Sequence, residues 1–135
     1  MILLDTDIIS HLLRPLVPKH LIARLRRTPM PGRFISSITV GELLYGLERT
    51  GRHEAIRARL EREFIARIEV LPFDLEAART YAALKAQLYN TGQPLAEPDL
   101  RIAAIAITHG LTLITGNEAH FRRVPGLKVE NWLRE

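Results

Sequence analysis

Short apolar runs alternate with longer stretches of mixed polarity along this chain. Apolar runs of strand length lie at residues 2–4, 34–38, 68–71, 111–114 and 127–129. Between these runs, apolar residues recur every three or four positions, which is typical of helices with one buried face. Strands that alternate with helices in this way predict an α/β fold with a mostly parallel central sheet of four to five strands, covered by helices on both faces.

Turn and capping residues set the limits of the predicted helices. Gly51 stands where a C-terminal glycine ends a helix, and Asp74 stands where an acidic N-cap begins one. Residues 102–107 are apolar on nearly every side, so a helix there is expected to pack deeply against the sheet before Gly110 ends it. Further helices are predicted at residues 19–27, 39–49, 52–67 and 74–89, with a short helical turn at 118–121.

Length and composition limit the possible classes of protein. With 135 residues, of which 47% are hydrophobic, the chain is predicted to form a single domain over residues 1–135. It contains no cysteine, which excludes disulfides, thiolate metal sites and cysteine nucleophiles. No secretory signal precedes the first strand, and no apolar run approaches the roughly 18 residues of a membrane-spanning helix. The protein is therefore expected to be cytoplasmic.

Four polar side chains stand where an apolar strand gives way to a helix or near such a junction: Asp5, Glu42, Asp99 and Asn117. In a parallel α/β sheet these junctions gather at the carboxyl ends of the strands, where such folds bind ligands. Three carboxylates a few ångströms apart repel each other by on the order of 4 kcal/mol per pair at an effective dielectric of about 20, so they require protons or a cation. Mg²⁺ or Mn²⁺ is expected, because hard cations take oxygen ligands.

Each of these side chains also has a purely structural explanation near the start of a helix. Caps alone do not explain why most of the junction residues carry a full negative charge, so the combined pattern favours a functional pocket. The structural alternatives are a capping box of Thr39 and Glu42, an N-cap at Asp5 or Asp7, a favourable first-turn charge at Asp99, and an N-cap at Asn117.

The charge of the chain suits an anionic partner. The net charge is +4, and most of the positive charge comes from arginines. A basic surface around an acidic, metal-holding pocket would fit a polyanion, although arginines that merely solvate helix faces explain the same pattern equally well. The histidines lack ligand spacing with one another, so helix-end or surface roles are expected for them. The arginines in question are Arg24, Arg26, Arg27, Arg57, Arg59, Arg62, Arg122 and Arg123.

Four strings of residues, which together span nearly the whole chain, resemble a known family. They are ILLDTDIIS, ISSITVGELLYGL, PLAEPDLRIAAIAITHGLTLIT and GNEAHFRRVPGLKVENW. In this order they are similar to a PIN domain of the VapC type, the toxin half of a type II toxin–antitoxin pair. The resemblance implies a metal-dependent ribonuclease with a three-layer α/β/α fold, which is usually dimeric and is neutralised by a small VapB-like antitoxin.

The resemblance also implies roles for individual residues. Asp5, Glu42 and Asp99 match the family's three acids, with Asp5 and Asp99 as direct Mg²⁺ ligands and Glu42 acting through the metal or a bound water. The fourth position, often Asp in the wider fold, is Asn117 here, and because an amide brings no charge, the free enzyme is expected to retain one tightly held ion. Two further acids, Asp7 and Glu97, are expected near the pocket in supporting positions.

The expected reaction is hydrolysis of an RNA phosphodiester. Asp5 and Asp99 would hold the ion, and Glu42 would orient the attacking water or accept its proton. Arg122 and Arg123 would hold flanking phosphates unless they are simply solvated. A structured RNA with an exposed loop, such as tRNA or rRNA, is the expected target.

The antitoxin is expected on an apolar surface close to the chemistry. For each residue of that surface, a place in the core is an equally good explanation. The predicted surface consists of Leu12, Leu13, Leu43, Leu47, Ile56, Leu60 and Phe64.

Two other functions fit parts of the sequence. MILLDTD resembles the nucleophile motif of haloacid-dehalogenase-like phosphatases, although Ile9 departs from that motif and the chain is short for that fold with a cap. A catalytically degenerate PIN domain that only binds RNA or a partner is the other alternative, which the neutral Asn117 suggests. Three retained acids count against such decay, because an inactive pocket has no physical reason to hold uncompensated charges together.

Overall fold

An all-parallel sheet of five strands lies at the centre of the computed structural model, which describes residues 1–51 and 53–134. The strands are β1 (Ile2–Leu4), β2 (Arg33–Ser36), β3 (Glu69–Leu71), β4 (Thr112–Ile114) and β5 (Val129–Glu130). They lie side by side in the order β3-β2-β1-β4-β5, so β1 is the central strand. The predicted parallel sheet is confirmed, with β5 beginning two residues later than expected.

Helices connect the strands and cover the sheet. The described residues form seven α-helices: α1 (Thr6–Leu12), α2 (Lys19–Arg26), α3 (Ser37–Thr50), α4 (Glu54–Arg59), α5 (Leu75–Asn90), α6 (Glu97–Thr108) and α7 (Glu118–Phe121). The predicted caps are confirmed at Asp74, whose Oδ1 accepts the Ala77 N–H at 3.0 Å, and at Gly51, which has a φ of 71°. In this part of the chain, no helix has the length and hydropathy needed to span a membrane.

Alternate strand residues form two separate apolar layers. Leu3 and Leu113 pack on one face of the sheet with residues of α5 and α6, such as Leu84 and Ile105. Ile2, Leu4, Ile35 and Ile114 pack on the other face with residues of α1 and α2, among them Ile8, Ile9 and Leu21. Since side chains alternate along a strand, three central strands are enough to fill both layers. The three-layer α/β/α architecture is therefore confirmed.

The end of β2 and the start of α3 differ from the prediction. The strand stops at Ser36 rather than residue 38, because the Ser36 Oγ accepts the Thr39 N–H at 3.0 Å and caps the helix. Ile38 and Thr39 are thus already helical. A capping box of Thr39 and Glu42 is wrong, since the N-cap lies three residues earlier and frees the Glu42 carboxylate for other contacts.

The helix predicted at residues 52–67 is divided into two parts. Arg52 lies outside the described residues; α4 begins at Glu54 and continues as a π-helical turn over Leu60–Ile65. The Arg59 guanidinium donates to the carbonyl oxygens of Leu12 and Leu13 at 3.2 and 3.1 Å, which ties α4 to the end of α1. Three members of the predicted antitoxin surface, Leu13, Leu60 and Phe64, are buried in the core in this arrangement, so that part of the prediction is wrong.

Replacing a leucine of the central sheet should measure how far the fold depends on these layers. Leu113 is fully buried in β4, so Leu113→Ala should lower the free energy of unfolding by about 2–5 kcal/mol through lost burial and the cavity it leaves. Urea denaturation followed by circular dichroism measures the loss. Leu75→Ala, at a leucine that is 66% exposed, is the matched control and should change stability by less than about 0.5 kcal/mol. Equal losses in the two variants would contradict this account of the core.

Candidate active site

The strand register brings three polar residues together at one edge of the sheet. Leu4 pairs with Ile114, so the next residues of the two strands, Asp5 and Thr115, are neighbours. The Asp5 N–H continues the ladder by donating to the Ile114 carbonyl at 2.9 Å. On the other side, the pairing of Leu3 with Phe34 places Ser36 beside Asp5. These three polar residues therefore meet at the carboxyl ends of neighbouring parallel strands, the place where such folds bind ligands.

Asp5 is the most deeply buried acid in the described part of the chain. Its Oδ1 accepts the Thr6 N–H at 2.8 Å, which confirms it as the N-cap of α1, and its Oδ2 accepts the Thr115 hydroxyl at 2.7 Å. Burial raises the pKa of Asp5 to about 7 from an ordinary 3.8; the Thr115 hydrogen bond lowers it, and the charges of Asp7 and Asp99 raise it. A capping carboxylate with so high a proton affinity is poised to bind a cation instead.

Glu42 reaches the same edge from the second turn of α3. Its Oε1 accepts the Thr6 hydroxyl at 2.7 Å, across from α1. The Thr6 hydroxyl also lies 3.0 Å from the hydroxyl of Thr39. Glu42 is thereby held to the residue that directly follows Asp5.

Asp99 enters the pocket from the first turn of α6, as predicted. Burial raises its pKa, the neighbouring His120 lowers it, and the charges of Glu42 and Asp7 raise it. The charges of four carboxylates therefore act on one another in this pocket: Asp5, Asp7, Glu42 and Asp99. His120, which was expected to be incidental, is near enough to lower the pKa of Asp99, and no spacing in the sequence signals that effect.

Asp7 has a larger part in the pocket than sequence reasoning gave it. Its Oδ2 accepts the Gly116 N–H at 2.8 Å, whereas its buried Oδ1 has no hydrogen-bond partner among the described residues. A Cβ at position 116 would lie 2.7 Å from the Asp7 Oδ2 and 2.5 Å from a methyl group of Leu133, so any residue other than glycine would require these side chains to shift. A buried carboxylate oxygen without a donor is costly unless a ligand satisfies it. The sequence signal was the second acid of the DTD string.

The side chains of the remaining predicted site residues make no hydrogen bond to Asp5, Asp7, Glu42 or Asp99 in the described part of the chain. Asn117 precedes α7 with an exposed side chain that makes no cap hydrogen bond, although its N–H donates to the Thr115 hydroxyl at 3.0 Å. Glu97 is not turned to the pocket contacts, since its carboxylate accepts from Tyr81 and Lys85, each at 2.6 Å. Arg122 is paired with Glu118 at 2.8 Å. Arg123 donates to the carbonyl oxygen and the Nδ1 of His120.

The donor set of the pocket fits a hard divalent cation that keeps part of its water shell. Among the described residues, no three acidic or histidine side chains surround one point closely enough to enclose an ion by themselves. Mg²⁺ usually takes one or two carboxylates and several waters, rather than a full protein cage. Asp5, Asp99 and the unpartnered oxygen of Asp7 offer only oxygen ligands, which matches that preference.

Comparison with known proteins identifies the fold. The sequence model of the PIN domain family matches residues 2–127. This chain belongs to the PIN domain family. The match confirms the resemblance seen in the sequence and rules out the haloacid-dehalogenase-like alternative.

Relatives of this PIN domain are of the VapC type. A tRNA(fMet)-specific endonuclease VapC from Salmonella typhimurium is 41% identical over 98 residues, which cover 73% of this chain and 74% of the relative. Ribonuclease VapC2 from Haemophilus influenzae is 34% identical over 132 residues, 97% of each chain. Among solved structures, DNA-bound VapBC from Salmonella typhimurium matches with a TM-score of 0.88 and 35% identity, covering 98% of this chain and 99% of that chain.

The burial of Asp5 predicts a pH dependence of stability in the metal-free PIN domain. Folding raises this pKa from 3.8 to about 7, so the folded state holds the proton more tightly than the unfolded chain. The resulting stabilisation is fully present below about pH 4 and is lost as the pH rises to 7, a fall on the order of 4 kcal/mol at most. Urea denaturation in EDTA between pH 4 and 8 measures it.

The control for this experiment removes the ionisable group and keeps the cap. Asp5→Asn should flatten the fall between pH 4 and 7, because asparagine caps a helix about as well as aspartate and does not titrate. Asp74→Asn makes the same exchange at the N-cap of α5 and should leave the fall in place. If Asp5→Asn follows the wild-type curve, Asp5 is not the group that titrates.

Proposed function

We propose that this PIN domain is a Mg²⁺-dependent endoribonuclease, with Mn²⁺ as a substitute ion, and that it acts as the toxin of a VapBC-type pair. The observation that carries the proposal is the convergence of Asp5, Asp7, Glu42 and Asp99 at one sheet edge, with one Asp7 oxygen buried and unpartnered. The relatives named ribonuclease and endonuclease support the reaction class.

We assign two roles to the residues of the pocket: some would bind the ion, and one would accept a proton from the attacking water. Asp5 and Asp99 would hold Mg²⁺, with the free oxygen of Asp7 as a further or water-mediated contact. When bound, such an ion lowers the pKa of a coordinated water and offsets the charge that develops on the phosphoryl group. Glu42, fixed by Thr6, would orient the attacking water and accept its proton. Asn117 would accept a metal or water contact through its amide oxygen, without adding charge to the pocket.

A single-stranded region of a structured RNA, such as tRNA or rRNA, is the proposed substrate. One relative is named as specific for tRNA(fMet), which supports this class of target. Several arginines that could contact a backbone are already paired with carboxylates, including Arg24 with Glu130 and Arg57 with Glu48. Arg123, at the edge of the pocket beside His120, is therefore the better candidate for a flanking phosphate.

An apolar groove beside the pocket is the proposed seat of the antitoxin. It has a volume of about 520 Å³, and both Thr6 and Glu42 line it, so it opens directly onto the candidate site. Three partly buried members of the predicted antitoxin surface, Leu43, Leu47 and Ile56, also line this groove, together with Leu13 of the core. An apolar segment of a VapB-like partner would bury these side chains and block the site. The solved VapBC complex with the same fold supports a partner of this kind. We also propose a homodimer, on the family resemblance alone.

Cleavage of total cellular RNA tests the proposed activity. The purified, antitoxin-free PIN domain should produce discrete fragments with Mg²⁺ or Mn²⁺ and none with EDTA. Asp5→Asn should reduce the cleavage rate by at least about 100-fold, because it removes a charged ligand of the ion. Asp74→Asn, the same exchange at the N-cap of α5, should cleave at the wild-type rate, because the Asp74 carboxylate only caps that helix.

Each other outcome of this assay has a definite meaning. Fragments that persist in EDTA, or that Asp5→Asn produces as fast as wild type, would show that the activity does not use this pocket. Intact RNA with a folded protein that still binds Mn²⁺ would favour the degenerate, RNA- or partner-binding alternative. Mapping the fragment ends by sequencing identifies the RNA and the cleaved bond.

A charge placed in the groove should prevent antitoxin binding. Leu47→Glu puts a carboxylate among apolar side chains and should weaken capture of the co-expressed partner at least about 10-fold, while the variant still cleaves RNA and keeps the circular dichroism spectrum of the folded domain. Tyr45→Glu, on the exposed face of the same helix, is the matched control and should retain binding. Co-purification and calorimetry give the affinities. Undiminished binding of the Leu47→Glu variant would place the partner elsewhere.

A further inference from the structure

A chain of three hydroxyl groups leads from the end of β2 to the Glu42 carboxylate. The Ser36 Oγ lies 3.3 Å from the Thr39 Oγ1, the Thr39 Oγ1 lies 3.0 Å from the Thr6 Oγ1, and the Thr6 Oγ1 lies 2.7 Å from the Glu42 Oε1. Ser36 and Thr39 are fully buried. The link to Glu42 is the shortest and is thus the strongest of the three.

The direction of every proton in this chain follows from the acceptor at its end. The Thr6 hydroxyl donates to the Glu42 Oε1, which accepts. Thr6 then has no proton left for Thr39, and the Thr39 hydroxyl must donate to Thr6. The Ser36 hydroxyl in turn donates to Thr39, while the Ser36 Oγ accepts the Thr39 N–H at 3.0 Å. Hydrogen bonds that point the same way along a chain strengthen one another.

We infer that Thr6 is a positioning residue for Glu42, and that Thr39 fixes the direction of its hydroxyl. Among the described residues, Thr6 is the one hydrogen-bond donor to the Glu42 carboxylate. It holds Oε1 and leaves Oε2 for the reacting water. Glutamate has three rotatable side-chain bonds, so an unheld Glu42 would spend much of its time in unproductive rotamers. This role rests on the proposed function, in which Glu42 handles the proton.

The capping of α1 and α3 does not explain the hydrogen bond between Thr6 and Glu42. The cap of α3 requires only the acceptor of Ser36, and the cap of α1 is provided by the Asp5 carboxylate. Neither cap uses the Thr6 hydroxyl. A valine at position 6 would keep the shape and the backbone N–H, yet the structure places a donor there within reach of a catalytic carboxylate.

Cleavage kinetics with Mg²⁺ test the consequence for catalysis. Thr6→Val should lower kcat by about 10- to 100-fold, the usual cost of removing a partner of an active-site ligand, and should leave KM for the RNA within about twofold. Thr6→Ser, which keeps the hydroxyl, should restore most of the rate. Thr39→Val should cause a smaller loss, because Thr6 can still donate to Glu42. Thr91→Val, at the exposed end of α5, is the matched control and should behave as wild type.

A double-mutant cycle in EDTA tests the hydrogen bond without any activity. Thr6→Val should lower the melting temperature of the wild-type chain and should lower it less, or not at all, in a Glu42→Ala background. If this coupling is found but the wild type cleaves no RNA, the proposed function is refuted, while the hydrogen bond between Thr6 and Glu42 is supported. Asp5-dependent cleavage that Thr6→Val leaves unchanged would refute the positioning role alone. A Thr6→Ser variant as slow as Thr6→Val, or equal losses in both backgrounds of the cycle, would also overturn it.

Discussion

The parallel pairing of β2, β1 and β4 is the constraint on which the candidate site depends. It sets Asp5 beside Thr115, one residue beyond the last paired positions of β1 and β4, and beside Ser36, two residues beyond those of β1 and β2. Side chains alternate between the two faces of the sheet along a strand. A shift of β1 by one residue would therefore move Leu3 to the apolar layer that now contains Ile2 and Leu4, and would move those two residues to the layer of Leu3. The cores on the two faces therefore hold the register, and the register holds the acids in place. The stability of the sheet and the geometry of the pocket have one cause.

The pocket opposes the ordinary preferences of acidic side chains. Asp5 is buried among other carboxylates, and its pKa rises to about 7 even though a helix N-terminus and the Thr115 hydroxyl both favour its charged form. Asp7 keeps one buried oxygen without a donor. Acids with strongly shifted pKa values that repel one another are characteristic of functional sites. The free energy lost through their burial and repulsion is offset when a cation binds or a reaction takes place there. Hydrogen bonds from the surrounding hydroxyls and backbone N–H groups reduce the free-energy cost of burying these carboxylates but do not remove it.

The sequence predicted the fold well wherever local signals were strong. The apolar runs of β1, β3 and β4, the cap at Asp74 and the glycine at position 51 each had one clear explanation. The errors arose where two local explanations competed. Thr39 with Glu42 has the spacing of a capping box, but Ser36 three residues earlier offered the same chemistry, and tertiary pairing of β2 decided between them. Leu60 and Phe64 have the spacing of an exposed stripe and of a core stripe alike, and only packing against α1 shows that they are core.

The sequence alone determined the succession of strands and helices along the chain, because each element depends on residues close together in the chain. It also determined membership of the PIN domain family and the expectation that Asp5, Glu42 and Asp99 converge, because both depend on a pattern that runs through the whole chain. The partners of those acids required the tertiary structure. The contacts of Thr6 with Glu42, Thr115 with Asp5 and Gly116 with Asp7 join residues 36 to 110 positions apart. Nothing local encodes which hydroxyl meets which carboxylate, since that depends on strand register and helix packing settled across the whole domain.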